Sequence, residues 1–149
     1  MKAFMIEGKS DSIIQIDPSM DRLDYYVVGK AKGVDGLNRC MRVNKNESCL
    51  LINDGKRIQV WEIAPDGQRG IRHSGLNILM SNPDPSIIIE DFATIKNKGV
   101  IICDSTGLLE VFMYDAQRRA SKKVSDFFIN SGVTDQSLVE QITTIGMDE

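Results

Sequence analysis

The only histidine of the 149-residue chain, His73, stands between Arg72 and Ser74 in a stretch, 68–75, that has no apolar periodicity. An imidazole in an irregular loop is a natural general base, but side chains adjacent in sequence do not face one another for proton transfer. A partner carboxylate would have to be Asp66, Asp84 or Glu90, brought in from outside the triplet. Glu7-Gly8-Lys9-Ser10 has the ending of a phosphate-binding loop. That motif requires a glycine where Ala3 stands, and Phe4-Met5-Ile6 reads as a strand rather than an open cradle of amides, so a hairpin turn is expected. Asn53-Asp54-Gly55 and Asp104-Ser105-Thr106-Gly107 carry the residue types of turns, and no spacing is that of a metal site. No catalytic residue, metal or cofactor is therefore assigned. A small enzyme or ligand-binding domain using the loops of 66–86 around His73 stands as the alternative.

Cys40, Cys49 and Cys103 are odd in number, widely spaced and set beside or within apolar runs. They read as free thiols acting as small buried hydrophobes in a reducing compartment. The first apolar run is soon interrupted by Glu7 and Lys9, and no apolar stretch reaches the ~18 residues of a membrane span, so a cytoplasmic location without membrane contact is expected. A net charge of −3 provides no general attraction to nucleic acid. Locally, Arg118, Arg119, Lys122 and Lys123 concentrate four positive charges. A solvated helix face is their plainest reading; they also fit an acidic protein partner, with nucleic acid the weaker alternative because few aromatic residues accompany them.

The element that organises the chain is Cys49 to Ile63, where two apolar runs flank Asp54-Gly55, a tight-hairpin signal. By the two-residue period Ile58 and Val60 point one way, and Gln59, Trp61 and Ile63 the other. Burial on both faces predicts an inner strand. Ala3 to Asp17 reads as an earlier hairpin and Tyr25 to Val28 as a strand; Arg39 to Asn44, Leu76 to Met80, 87–89 and 92–95 read as further strands. Val100 to Asp115 repeats the central hairpin at an offset of 51, placing Leu50 on Ile101, Leu51 on Ile102, Gln59 on Glu110 and Trp61 on Phe112. The first hairpin follows at 44, with Ile14-Gln15-Ile16 on Ile58-Gln59-Val60. After residue 115 the period changes. Ala116, Ala120, Val124, Phe127 and Phe128 fall on one face of a helix, and Leu138, Val139, Ile142 and Ile145 on one face of a second, capped by Thr134.

Residues 33–63 resemble a WD-repeat β-propeller blade: strands carrying Leu37, Val43 and Leu50 to Ile52, then Asp54-Gly55 and a closing Val60-Trp61-Glu62 where that family has Trp-Asp. Residues 86–115 look like a second copy closed by Phe112-Met113, although the family's Gly-His pair is missing. The resemblance implies blade-like antiparallel units, and because the chain is too short to close a propeller alone, they either complete one with other copies or a partner or form an ordinary β-meander. The expected fold is β-rich α+β: an antiparallel meander of β-hairpins over 1–115, followed by two C-terminal helices in 116–149. The expected function is a non-catalytic protein-interaction or assembly module, oligomeric or partnered. Its anchors would be Trp61, Phe112, the 118–123 cations, Leu138 and Ile142.

Overall fold

Short apolar runs punctuated by Gly, Asp and Asn produce antiparallel strands throughout the computed structural model, which describes residues 2–17, 24–31, 40–65 and 67–128. The N-terminal sheet contains β1 (Ala3–Glu7), β2 (Ser12–Asp17) and β3 (Asp24–Lys30), hydrogen-bonded in that order. The middle sheet has the order β4 (Cys40–Val43), β5 (Cys49–Asn53), β6 (Arg57–Ile63), β7 (Ile71–Leu79). The C-terminal sheet follows with β8 (Ile89–Ile95), β9 (Gly99–Asp104), β10 (Leu108–Asp115) and β11 (Ala120–Phe128), again in sequence order. No helix occurs among the described residues, so none there is long and apolar enough to cross a membrane.

The three sheets stack face to face, and the middle one is covered on both sides. Leu50, Ile52, Trp61 and Ile63 pack with Ile13 and Ala31, with Phe4, Ile6 and Val28 of the N-terminal sheet against them. Leu51, Ile58, Val60, Leu76 and Ile78 pack against Ile89, Phe92, Val100, Ile102, Phe112 and Tyr114 of the C-terminal sheet. Ile58 and Val60 are fully buried on one face of β6 while Trp61 and Ile63 occupy the other, as the period predicts for an inner strand. Each such side chain contributes about 1.5–3 kcal/mol through removal from water.

Three sequence expectations need correction. The fold is all-β, not α+β: the segment assigned to the first C-terminal helix instead turns at 116–119 and runs back along β10 as β11. The misleading signal has a physical origin. Between Val111 and Phe112 the register shifts by one, leaving Val124 as a bulge residue. The bulge brings Ala120, Val124 and Phe127 towards one side of a strand at spacings of four and three, which are also helix spacings. The second expected helix, with Leu138 and Ile142, lies outside the described residues.

The second correction concerns the repeat. Offset 51 holds for the closing strand, where Trp61 and Phe112, and Gln59 and Glu110, occupy matching positions. In the opening strand Leu50 faces Trp61 while Val100, not Ile101, faces Phe112, so β9 has one residue more in its turn. The third concerns the first hairpin, where Ile13, not Ile14, faces the middle sheet. A slip of one residue puts every side chain on the wrong face.

Candidate functional site

A groove of about 1010 Å³ opens between the middle and C-terminal sheets. The middle sheet lines it with Glu62, Arg72 and His73, and the C-terminal sheet with Lys98, Asp115 and Arg119. His73 comes into it because β7 bulges: Leu76 faces Val60 but His73, not Ser74 or Gly75, faces Trp61. The His73 Nδ1 accepts from the Gly75 amide at 2.9 Å, and Nε2 lies 3.2 Å from Asn77 Oδ1, the arrangement in which Nε2 is the nitrogen placed to donate. Its edge meets Trp61 at 5.1 Å between ring centroids, with an interplanar angle of 75°. Both nitrogens are thus engaged, and neither by a carboxylate. Asp84 instead holds the Ser86 amide and hydroxyl in an exposed turn.

The other reactive groups at the groove are held in unreactive forms. Burial pushes the Cys49 thiol above its usual value, and nearby Glu62 and Asp115 push it further, so it is not a thiolate at neutral pH. Burial likewise raises the Tyr114 phenol well above its ordinary range. All three cysteines are free. Among the described residues no cluster of His, Cys, Asp and Glu is arranged to hold a metal ion. At the P-loop-like turn, Glu7 accepts from the Lys9 and Ser10 amides at 3.1 and 2.8 Å. Those bonds, with the Ser10 hydroxyl contributing most, hold its carboxyl below the usual range and occupy the amides a phosphate would need.

The cations divide into committed and uncommitted ones. Arg72 Nε donates to Glu62 at 2.7 Å, and the Arg69 guanidinium lies 3.6 Å over the Tyr26 ring. Lys98 and Arg119 have no ion pair among the described residues. The expected basic face of 118–123 is dispersed by the strand. Arg118 projects into solvent, 3.8 Å from Asp115. Lys122 and Lys123 stand opposite Met113 and Phe112, on opposite faces of β11. Lys123 reaches Asp126 at 2.8 Å and Glu110 at 3.6 Å. Trp61 and Phe112 are both buried, inside the two cores.

A second surface was not singled out by sequence. On the outward face of the N-terminal sheet, Met5, Val27 and Tyr25 are 47%, 64% and 70% exposed. Ile14 pairs with both Met5 and Val27, and Ile16 with Tyr25, so these five share one face. The signal was present. Runs such as Phe4-Met5-Ile6, Ile13-Ile14 and Tyr25-Tyr26-Val27-Val28 are apolar at consecutive positions, the pattern of strands covered on both sides. The chain matches no family model and no curated protein.

Proposed function

We propose that the chain is an assembly module that pairs with a second copy of itself through the outward face of the N-terminal sheet. The observation that carries this reading is the cluster of Met5, Ile14, Ile16, Tyr25 and Val27 on one face, three of them largely exposed. Contiguous apolar surface on a sheet is the mark of an interaction site. The stacking already present gives the mode: the opposite face of this sheet is buried against the middle sheet, and a further sheet would continue the same packing.

The two ends of the stack differ in a way that favours a closed pair. On the outward side of the C-terminal sheet Val111 is buried, and Ile101, Leu109 and Phe127 are partly buried. Among the described residues the outward face of the N-terminal sheet is the more open apolar end, and a two-fold contact with a second copy would cover it. The resemblance to propeller blades accords with sheets that need neighbours on both faces. Against a catalytic role for His73 stands the engagement of both its ring nitrogens.

Light scattering of the full chain tests the reading. A mass of two chains is expected, and Val27→Lys should return it to one, with little effect on folding because the side chain is exposed. A monomer at all concentrations, or a dimer indifferent to Val27→Lys and Tyr25→Lys, refutes it.

A further inference from the structure

We propose that the groove between the middle and C-terminal sheets binds a phosphate group, with Arg119 as its bidentate anchor and Lys98 as a second charge. This site is separate from the self-association face, and it stands or falls independently of that reading.

Two observations converge on it. The first is charge accounting. Of the cations at the groove, Arg72 is committed to Glu62 and Arg69 to the Tyr26 ring, while Lys98 and Arg119 have no carboxylate partner among the described residues. Two positive charges without a carboxylate partner among the described residues match a dianion, which a phosphate monoester supplies and a single carboxylate does not. The guanidinium adds a planar fork suited to two phosphate oxygens.

The second is the way Arg119 is held. It has a left-handed backbone, φ 53°, in the turn closed by its own amide on Ala116 O at 3.3 Å. Its guanidinium lies over Gly75 of the neighbouring sheet, where a Cβ would come within 3.0 Å of Nε and 3.4 Å of Cζ. Gly75 is itself left-handed, φ 88°, within the β7 bulge. The left-handed conformation favours glycine, and its missing Cβ leaves the place the arginine takes, so the bulge of one sheet provides a seat for the arginine of the other. The contact with Gly75 gives the exposed Arg119 side chain a neighbour in the facing sheet and so favours this placement of its head. Pre-placement reduces the cost of ordering it around an anion.

Calorimetric titration of the full chain with inorganic phosphate and with O-phosphoserine, at low ionic strength, tests the proposal. Saturable one-site binding is expected for at least one of them. Equal affinity assigns the site to free phosphate, and tighter phosphoserine assigns it to a monoester. Arg119→Gln should weaken binding about tenfold, the loss of one bidentate charged pair. Arg119→Lys should weaken it nearly as much, because the charge stays but the fork is gone. Gly75→Ala, which changes no charge, should also weaken it by displacing the guanidinium, with circular dichroism reporting that the fold persists. Arg118→Gln is the control and should bind as the parent does. The proposal is overturned if neither ligand saturates, or if Arg118→Gln and Arg119→Gln weaken binding alike, since that is diffuse charge and not a site.

Discussion

In the middle sheet, Asp54 is fully buried and both of its oxygens are satisfied. Oδ1 accepts from the Lys56 and Arg57 amides at 3.1 and 3.0 Å; Oδ2 accepts from Arg57 Nε at 2.6 Å and Gln59 Nε2 at 3.0 Å. Gln59 then accepts from Trp61 Nε1 at 3.1 Å, so one polar chain ties the turn to the aromatic core. In the C-terminal sheet, Asp104 has the equivalent place and its Oδ1 performs the same task, accepting from Thr106 and Leu108 amides at 2.8 and 3.2 Å. The rest differs. Leu108 stands where Arg57 would be and Glu110 where Gln59 would be, and Asp104 Oδ2 is buried with no hydrogen-bond partner. Glu110 instead reaches out of its sheet, accepting from the amide of Ser81 at 3.0 Å and from its hydroxyl. One register position thus braces a turn within a sheet in one copy and clamps two sheets together in the other. The repeat preserves backbone geometry and the apolar faces, while the polar network is specific to each sheet.

The largest expected difference between the copies lies at the matched aromatics. Phe112→Ala should cost about 3–5 kcal/mol, the usual price of a large cavity. Trp61→Ala should cost that and about 1–3 kcal/mol more, because the buried Gln59 Oε1 then loses the bond it accepts from the indole. Urea unfolding followed by far-UV circular dichroism measures both, with the slope of the transition expected to stay unchanged. Equal losses would mean that the Asp54–Gln59–Trp61 chain contributes nothing beyond packing.

The turns themselves can be exchanged. Arg57→Leu gives the middle sheet the arrangement of the C-terminal one and should destabilise it by about 1–2 kcal/mol, less than a fully buried pair because the arginine is 42% exposed. Leu108→Arg gives Asp104 Oδ2 the guanidinium it lacks and should stabilise by about 1 kcal/mol. Thermal unfolding of the two variants reads the signs directly. If Leu108→Arg destabilises, the extra residue in the β9–β10 turn has moved position 108 out of reach of Asp104.

How much of this could be read from sequence follows from the same comparison. Asp54-Gly55 and the division of β6 into an Ile58/Val60 face and a Trp61/Ile63 face were legible, because turn chemistry and the two-residue period are local properties. The bulges were not. Val124 in β11 and Ser74-Gly75 in β7 are extra residues defined only against a partner strand. The first bulge made β11 look helical, and the second made 68–75 look like an irregular loop. The groove was half legible. His73 is visible as chemistry in the sequence, whereas Lys98 and the seat for Arg119 on Gly75 depend on two sheets meeting and leave no trace in either segment alone.

The smallest effect at neutral pH becomes visible only in alkali, and it separates the two copies cleanly. Tyr114 occupies the position that Ile63 occupies in the middle sheet. Burial, reinforced by the nearby Cys49, holds its phenol well above the ordinary value near 10. The unfolded chain therefore releases this proton at about pH 10 while the folded chain retains it. Above that pH the unfolded state binds fewer protons, so stability is complete below it and falls by about 1.4 kcal/mol for each further pH unit until the folded phenol also ionises. Tyr114→Phe should lose about 1 kcal/mol at pH 7, since the 3.3 Å bond to Asn97 O and the hydrogen bond with the Asn44 side chain disappear, and should flatten the alkaline limb. Cys49 adds a similar slope from lower pH, and Cys49→Ala separates the two contributions. Hydrogen exchange above pH 10 is confounded by its own rate, so urea midpoints across the pH range are the measurement. A limb unchanged in Tyr114→Phe would mean that the phenol becomes solvated before the sheets separate.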